Sequence, residues 1–258
     1  MARSGRCHVA KITVLVGLLL VVLSSSEMSV AQVSTPLSRH GKISASSVRE
    51  PIAAGEPIAA GEPIAKSLVP TEAKDAANTP VVVVIGDSLA EGYGVQRSQA
   101  FPDRAEELLR ARGHAVRIVN GGISGSVTAD ADRRLRWYLR IKPRFLLLEL
   151  GGNDGLKGTP ISVIRANLKK VIDLAKENHL TVILAGMQIY ASYGAAYTAE
   201  FANMYRELAR EEKIELIPFL LKGVALMPGL NQPDMKHPNV MGHEIVAHTV
   251  ADFLEPLL

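Results

Sequence analysis

Five short runs of mostly apolar residues recur in the second part of the chain. They lie at Val81–Ile85, Ala115–Val119, Phe145–Leu150, Thr181–Ala185 and Ile214–Ile217. The runs are rich in Val, Ile and Leu and are continuous rather than alternating, which is typical of strands buried on both faces of a parallel sheet. The pattern therefore predicts five parallel strands.

The segments between these runs have helical periodicity. Over residues 161–175 the apolar side chains recur on one helix face and the charged side chains on the other. A helix is also predicted over Ser126–Ile141, where acidic residues come first and basic residues follow, and another over about Val240–Leu254. This alternation of strand and helix predicts an α/β fold, a three-layer α/β/α sandwich with a five-stranded parallel sheet, in one domain over residues 81–258.

The first residues have the features of a secretory signal. Arg3, Arg6 and Lys11 precede an apolar run over Ile12–Leu23, and the small residues at 29–31 are typical of a cleavage site. The apolar run is shorter than the roughly 20 residues that span a bilayer, so a permanent membrane anchor is the weaker alternative. We expect residues 1–31 to be a signal peptide that directs export to the periplasm or out of the cell.

Residues 32–80 differ in composition and are rich in Ser, Ala, Pro and Gly. The sequence EPIAAG starts at Glu50 and again at Glu56, and begins once more at Glu62. Such a segment cannot bury enough apolar surface to offset the entropy lost on ordering. We therefore expect a disordered low-complexity linker, with a cell-wall or partner-binding segment as the alternative.

The charge balance argues against a nucleic-acid partner. The chain has 29 basic and 26 acidic residues, of which residues 81–258 hold 21 and 20. Nucleic-acid binding needs clustered positive charge, which a nearly neutral domain does not supply. The single cysteine, Cys7, falls in the predicted signal, and this excludes a disulfide scaffold.

Candidate chemistry follows the predicted strands, where open α/β sheets bind their ligands. Gly86-Asp87-Ser88-Leu89 follows the first strand, Asn120–Gly125 the second and Gly151–Gly155 the third, while Asp234 lies three residues before His237. Each motif alone has an ordinary interpretation, because a serine there is often a helix N-cap and glycine-rich loops are often plain turns. Their combination is more informative than any one of them.

In this combination and order the motifs resemble those of the GDSL or SGNH hydrolase family, over essentially all of residues 81–258. The resemblance implies a flavodoxin-like fold with strand order 2-1-3-4-5, and a monomer. It implies that Ser88 is the nucleophile, His237 the base and Asp234 the carboxylate that orients it. It also implies an oxyanion hole made by the backbone N–H groups of Ser88 and Gly125 and the side chain of Asn153.

The chemistry of these residue types agrees with the resemblance. A serine hydroxyl becomes nucleophilic when an imidazole takes its proton and a carboxylate fixes the imidazole tautomer. The stretches around Glu149–Leu156 and His237–Asn239 are most similar to bacterial family members described as thioesterases, lysophospholipases and arylesterases. We therefore expect an exported serine esterase acting on small acyl esters, thioesters or lysophospholipids. A carbohydrate O-deacetylase of the same family and a non-catalytic tethered binding module are the alternatives.

Five further residues near the strand ends are candidates for supporting roles. Leu156 lies in a glycine-flanked segment that we expect to be a mobile flap over the acyl chain. Met187, Ile189 and Tyr190 follow the fourth strand and either line an acyl channel or pack the core. Glu149 ends the third strand, and is either an acid of raised pKa or a hydrogen-bonded support for the loop.

No motif indicates a cofactor or a metal. Gly121–Gly125 does not fit the dinucleotide fingerprint, and the sequence has no phosphate-binding loop motif. His237, His243 and His248 lack the spacing of a zinc hydrolase. We expect neither a cofactor nor a metal.

Overall fold

The computed structural model describes residues 79–258. The predicted signal peptide, residues 1–31, and the predicted linker up to residue 78 lie outside the described residues. Within residues 79–258, no helix is both long enough and apolar enough to cross a membrane.

The sheet has five parallel strands in the order β2-β1-β3-β4-β5. They are β1 Val81–Gly86, β2 Arg117–Asn120, β3 Phe145–Glu149, β4 Thr181–Ala185 and β5 Glu215–Ile217. Residues 82–85 of the interior strand β1 are fully buried, as a strand covered on both faces requires. The predicted five-stranded parallel sheet and its strand order are confirmed.

Helices cover both faces of this sheet and make the predicted three-layer α/β/α sandwich. They are α1 Ser88–Glu91, α2 Phe101–Ala111, α3 Ala131–Tyr138, α4 Gly152–Leu156, α5 Ile161–Glu177, α6 Ala195–Glu212 and α7 Val240–Leu254. Helices α2 and α7 pack together on one face, whereas α5 packs against α3 and α6 on the other. The predicted apolar face of α5 is buried, including Ile164, Leu168 and Ile172.

Several element boundaries differ from the sequence prediction. Strand β2 runs from Arg117 to Asn120 rather than from Ala115, and the helix predicted from Ser126 becomes α-helical only at Ala131. The cause lies at Thr128, whose N–H and hydroxyl both donate to the carboxylate of Asp154, at 3.0 and 2.7 Å. These bonds hold a short 3-10 turn, Thr128–Asp130, in place of the first helical turn.

A buried histidine joins the two helices on one face. His243 of α7 is almost completely buried, and its Nδ1 accepts a hydrogen bond of 3.2 Å from the backbone N–H of Phe101 at the start of α2. Burial, with a smaller effect from His237, lowers the pKa of His243 to about 4. The ring is therefore neutral at neutral pH, which leaves Nδ1 free to accept.

The buried histidine predicts that stability falls in mild acid. In the unfolded chain His243 takes up a proton near its ordinary pKa of about 6.5, whereas the folded chain excludes that proton until about pH 4. The linkage removes about 2 kcal/mol of stability between pH 7 and pH 4.5. Urea denaturation at both pH values should show this loss in the parent and a smaller loss in His243→Gln, whose side-chain oxygen can still accept.

The matched control is His248→Gln, because His248 lies on the same helix and is exposed. This control should lose as much stability as the parent. If His243→Gln loses as much stability as the parent in acid, titration of His243 does not contribute.

Candidate active site

Ser88 lies just after the carboxyl end of β1. It is the first residue of α1, and Asp87 before it caps that helix by accepting a 3.0 Å hydrogen bond from the N–H of Leu89. Gly92, with a φ of 84°, ends the helix after one turn. Asp87 is thus the N-cap of α1, and the Ser88 hydroxyl is available for another partner.

That partner is the imidazole of His237. The Nε2 atom of His237 lies 2.9 Å from the Ser88 Oγ, and its Nδ1 atom lies 2.6 Å from Oδ2 of Asp234. One chain of hydrogen bonds therefore joins the three side chains. Ser88 and His237 are in contact although they lie 149 positions apart in the sequence.

The Asp234–His237 turn is fixed by its own hydrogen bonds. The Oδ1 atom of Asp234 accepts from the N–H groups of Lys236 and His237, at 2.9 and 3.1 Å. Met235, directly after Asp234, has a φ of 58°, which non-glycine residues rarely adopt. Burial alone would raise the pKa of Asp234, but the bonds from the His237 ring and the two N–H groups outweigh it and lower the pKa to about 2. Asp234 is therefore a carboxylate over the whole physiological range.

Tyr93 is a neighbour of His237 that the sequence analysis missed. The centroid of its ring lies 4.7 Å from that of the imidazole, with the rings tilted by 43°. Tyr93 comes two residues after α1, so the ring beside the imidazole comes from the same segment as Ser88. The glycine on each side of Tyr93, Gly92 and Gly94, is a turn signal but says nothing of this contact.

The loop after β2 approaches α1 closely. The side chain of Asn120 donates to the carbonyl of Ala90 and accepts from the N–H of Gly122, at 2.7 and 2.9 Å. A Cβ on Gly122 would lie 2.1 Å from the backbone nitrogen of Glu91, so only glycine fits there. Gly125 has a φ of 76°, and its N–H has no hydrogen-bond partner within residues 79–258.

Asn153, in the first turn of α4, links the loops that follow β1 and β2. Its Nδ2 group donates to the carbonyl of Ser126 at 2.9 Å and to Oδ2 of Asp87 at 3.2 Å. Both amide hydrogens are therefore engaged. Asp154 next to it makes the two bonds to Thr128 described above, a role that the sequence analysis did not assign.

Glu149, at the end of β3, supports the turn that precedes Ser88. It pairs in register with Gly86 across β1 and β3, is fully buried, and accepts a 3.0 Å hydrogen bond from the N–H of Asp87. Burial, followed by the negative charge of Asp87, raises the pKa of Glu149 well above its usual range. Both interpretations from the sequence apply, because Glu149 is a hydrogen-bonded support and also a carboxyl group of raised pKa.

Beside Ser88 and His237 opens a cavity of about 420 Å³ with a largely apolar lining. The four candidate substrate residues, Leu156, Met187, Ile189 and Tyr190, all line it. Met187 also packs in the core, so the two interpretations of that residue are compatible. The closing movement expected of the Leu156 segment stays a prediction.

The other wall of the cavity was not predicted. It is formed by four residues that follow β5 and by Met235 of the Asp234–His237 turn. The four residues after β5 are Phe219, Leu221, Ala225 and Leu226. The apolar run directly after the fifth strand was the available signal. Within residues 79–258, no group of three or more His, Cys, Asp or Glu side chains is placed to hold a metal ion.

The family to which the chain belongs follows from comparison with known proteins. A model of the GDSL-like Lipase/Acylhydrolase family matches residues 84–245, which include every motif described above. The chain belongs to this family. It is thus a hydrolase of the esterase and thioesterase type that GDSL proteins represent.

Similar GDSL proteins cover the same part of the chain. An arylesterase of Vibrio mimicus is 34% identical over 174 residues, which are 67% of this chain and 87% of that protein. The thioesterase 1/protease 1/lysophospholipase L1 of Escherichia coli strain K12 is 32% identical over 184 residues, 71% of this chain and 87% of that protein. The crystal structure of TesA superposes with a TM-score of 0.67 at 34% identity, covering 69% of this chain and 99% of that chain.

The raised pKa of Glu149 predicts a defined response to substitution. We expect the free energy of unfolding of Glu149→Gln to lie within about 1 kcal/mol of that of the parent at pH 7. The uncharged amide oxygen can still accept the hydrogen bond from the N–H of Asp87. Glu149→Leu leaves that buried N–H without an acceptor and should lose about 1–3 kcal/mol. Chemical denaturation measures both.

The control is Glu177→Leu, which alters an exposed glutamate at the end of α5 and should have little effect. A Gln variant as unstable as the Leu variant would mean that Glu149 acts as a carboxylate.

Proposed function

We propose that the protein hydrolyses acyl esters through an acyl-enzyme on Ser88. The observation that carries the proposal is the chain of hydrogen bonds from Ser88 through His237 to Asp234, at the mouth of the apolar cavity. In a serine hydrolase this arrangement supplies the nucleophile, its base and the group that orients the base.

The reaction has two steps. The Ser88 Oγ attacks the acyl carbonyl while its proton passes to Nε2 of His237, and the imidazolium then gives that proton to the departing alcohol or thiol. Water next attacks the acyl-enzyme while His237 takes its proton, and the bond from the acyl carbon to Oγ then breaks as His237 returns that proton to Ser88, which releases the carboxylic acid. Asp234 accepts from Nδ1 throughout, which keeps Nε2 available for the serine.

The negative oxygen of the tetrahedral intermediate needs donors. We propose the N–H groups of Ser88 and Gly125 and the side-chain amide of Asn153. The free N–H of Gly125 supports its role, and so does the position of Ser88 at a helix start, where N–H groups lack intrahelical partners. For Asn153, the longer of its two bonds, the one to Asp87, must open or be shared.

The lining of the cavity supports an acyl chain as the bound group. Leu156, Met187 and Ile189 offer apolar surface, and its volume lies in the range of small-molecule sites. Relatives named arylesterase and thioesterase/lysophospholipase support esters, thioesters and lysophospholipids as substrate classes. The mechanism uses only groups of the protein and water, and the proposal includes neither a metal nor a cofactor. We propose a monomer as the active form.

The proposal predicts a defined response to Ser88→Ala. The purified full chain should hydrolyse p-nitrophenyl esters of medium or long chains, and Ser88→Ala should fall by at least about 10⁴-fold because the nucleophile is gone. Ser162→Ala, at an exposed serine of α5, is the control and should retain full activity.

Activity that survives in Ser88→Ala would overturn the mechanism. A strong preference for acetylated sugars over octanoyl esters would instead support the carbohydrate O-deacetylase. A parent inactive on esters, thioesters and acetylated sugars would support the binding module.

We also propose that the hydrolase is exported, with residues 1–31 as signal and residues 32–80 as linker. Expressed in a bacterial host with an outer membrane, the mature protein should begin at Gln32, as mass spectrometry of the periplasmic or secreted fraction can determine. Leu18→Arg should block export by interrupting the apolar run, whereas Leu68→Arg in the linker should leave export unchanged. Intact residues 1–31 in exported protein would contradict cleavage.

A further inference from the structure

Exposed apolar side chains are concentrated beside the cavity. Ten large apolar side chains are exposed within residues 79–258, and five of them fall in two short segments. These five, here called the mouth patch, are Leu226, Met227, Val240, Met241 and Ile245. Single exposed apolar residues are ordinary on protein surfaces, whereas a cluster beside a binding site marks an interaction surface.

Hydrogen bonds hold the two segments of the mouth patch together. The N–H of Asn239 donates to the carbonyl of Leu230, and its side chain donates to the carbonyl of Gly229, both at 3.0 Å. These bonds fix the turn after Met227 against the first turn of α7, where Met241 lies. Met241 and Ile245 are four residues apart on that helix and so share a face.

The mouth patch is continuous with the cavity. Leu226 lines the cavity and yet is 57% exposed, with a φ of 61° that non-glycine residues rarely adopt. Met241, at 65%, is the most exposed large apolar side chain of the described residues. A group entering the cavity past Leu226 would therefore cross an apolar surface first.

Positive charge borders the mouth patch. Lys222 and Lys236 are exposed, and neither makes an ion pair within the described part of the chain. Lys236 lines the cavity, and Lys222 follows the lining residue Leu221. The carboxylate in the same turn as Lys236, that of Asp234, is already engaged by His237.

We propose that the mouth patch docks on an anionic lipid surface and so presents the cavity to acyl chains held there. The patch would enter the boundary between headgroups and acyl chains, and the two lysines would face the negative headgroups. Five side chains are too few for the roughly 800 Å² per partner that a stable protein dimer buries, which favours lipid over a second copy. The choice of lipid as the occupant rests on the proposed function, whereas the exposure of the mouth patch does not depend on it.

A fluorophore placed in the patch tests the docking. In the full chain carrying Cys7→Ser, the environment-sensitive dye NBD is attached at Met241→Cys and, in the control, at Val163→Cys on α5, which is also exposed. Vesicles of phosphatidylcholine and phosphatidylglycerol in equal parts should shift the emission at 241 to the blue and increase it severalfold. Pure phosphatidylcholine should have a much smaller effect. The dye at 163 should not respond, although the same N-terminal apolar run is present in both proteins.

Three results would overturn the proposal. They are no response at 241, equal responses to both vesicle types, and a response without vesicles that grows with protein concentration, which would indicate a second copy. Adding Ser88→Ala to the labelled protein separates this proposal from the proposed function. Docking should persist while hydrolysis of p-nitrophenyl octanoate, measured without vesicles, is lost. Docking by a parent that hydrolyses no ester would count against the proposed function alone.

Discussion

The hydrogen bond from the N–H of Asp87 to the buried carboxyl of Glu149 is the contact on which the site depends. It joins the turn that carries Ser88 to the end of the neighbouring strand, so the position of the serine follows from the register of β1 and β3. Asp87, held in this way, caps α1 and receives the amide of Asn153. Burial and the negative charge of Asp87 raise the pKa of Glu149, which favours the neutral carboxyl group beneath Asp87.

The strand order explains how distant segments meet. Strands β2 and β3 flank β1, and in a parallel sheet all three end at the same edge. The loops that carry Gly125, Ser88 and Asn153 are therefore neighbours although the sequence separates them. Polar bonds between the loops, such as those from Thr128 to Asp154, then fix their relative positions at the expense of regular helix.

Features that depend on local pattern could be predicted from the sequence. The continuous Val81–Ile85 run and the final helix Val240–Leu254 lie where expected, and the motif residues Ser88 and His237 are in contact. Features that depend on contacts between distant segments could not be predicted. The ring of Tyr93 beside His237 and the delayed start of α3 belong to this second group.

Asp234 and His237 lie on one four-residue turn. Their relative geometry is fixed by the bonds that the N–H groups of Lys236 and His237 donate to the Asp234 side chain. The alignment of the Asp234 carboxylate with the His237 imidazole thus depends on local chain geometry. The contact between His237 and Ser88 depends instead on the position of the turn in the fold. The imidazole and the carboxylate consequently change position together. A shift of this turn would separate both groups from the serine while leaving their own hydrogen bond intact.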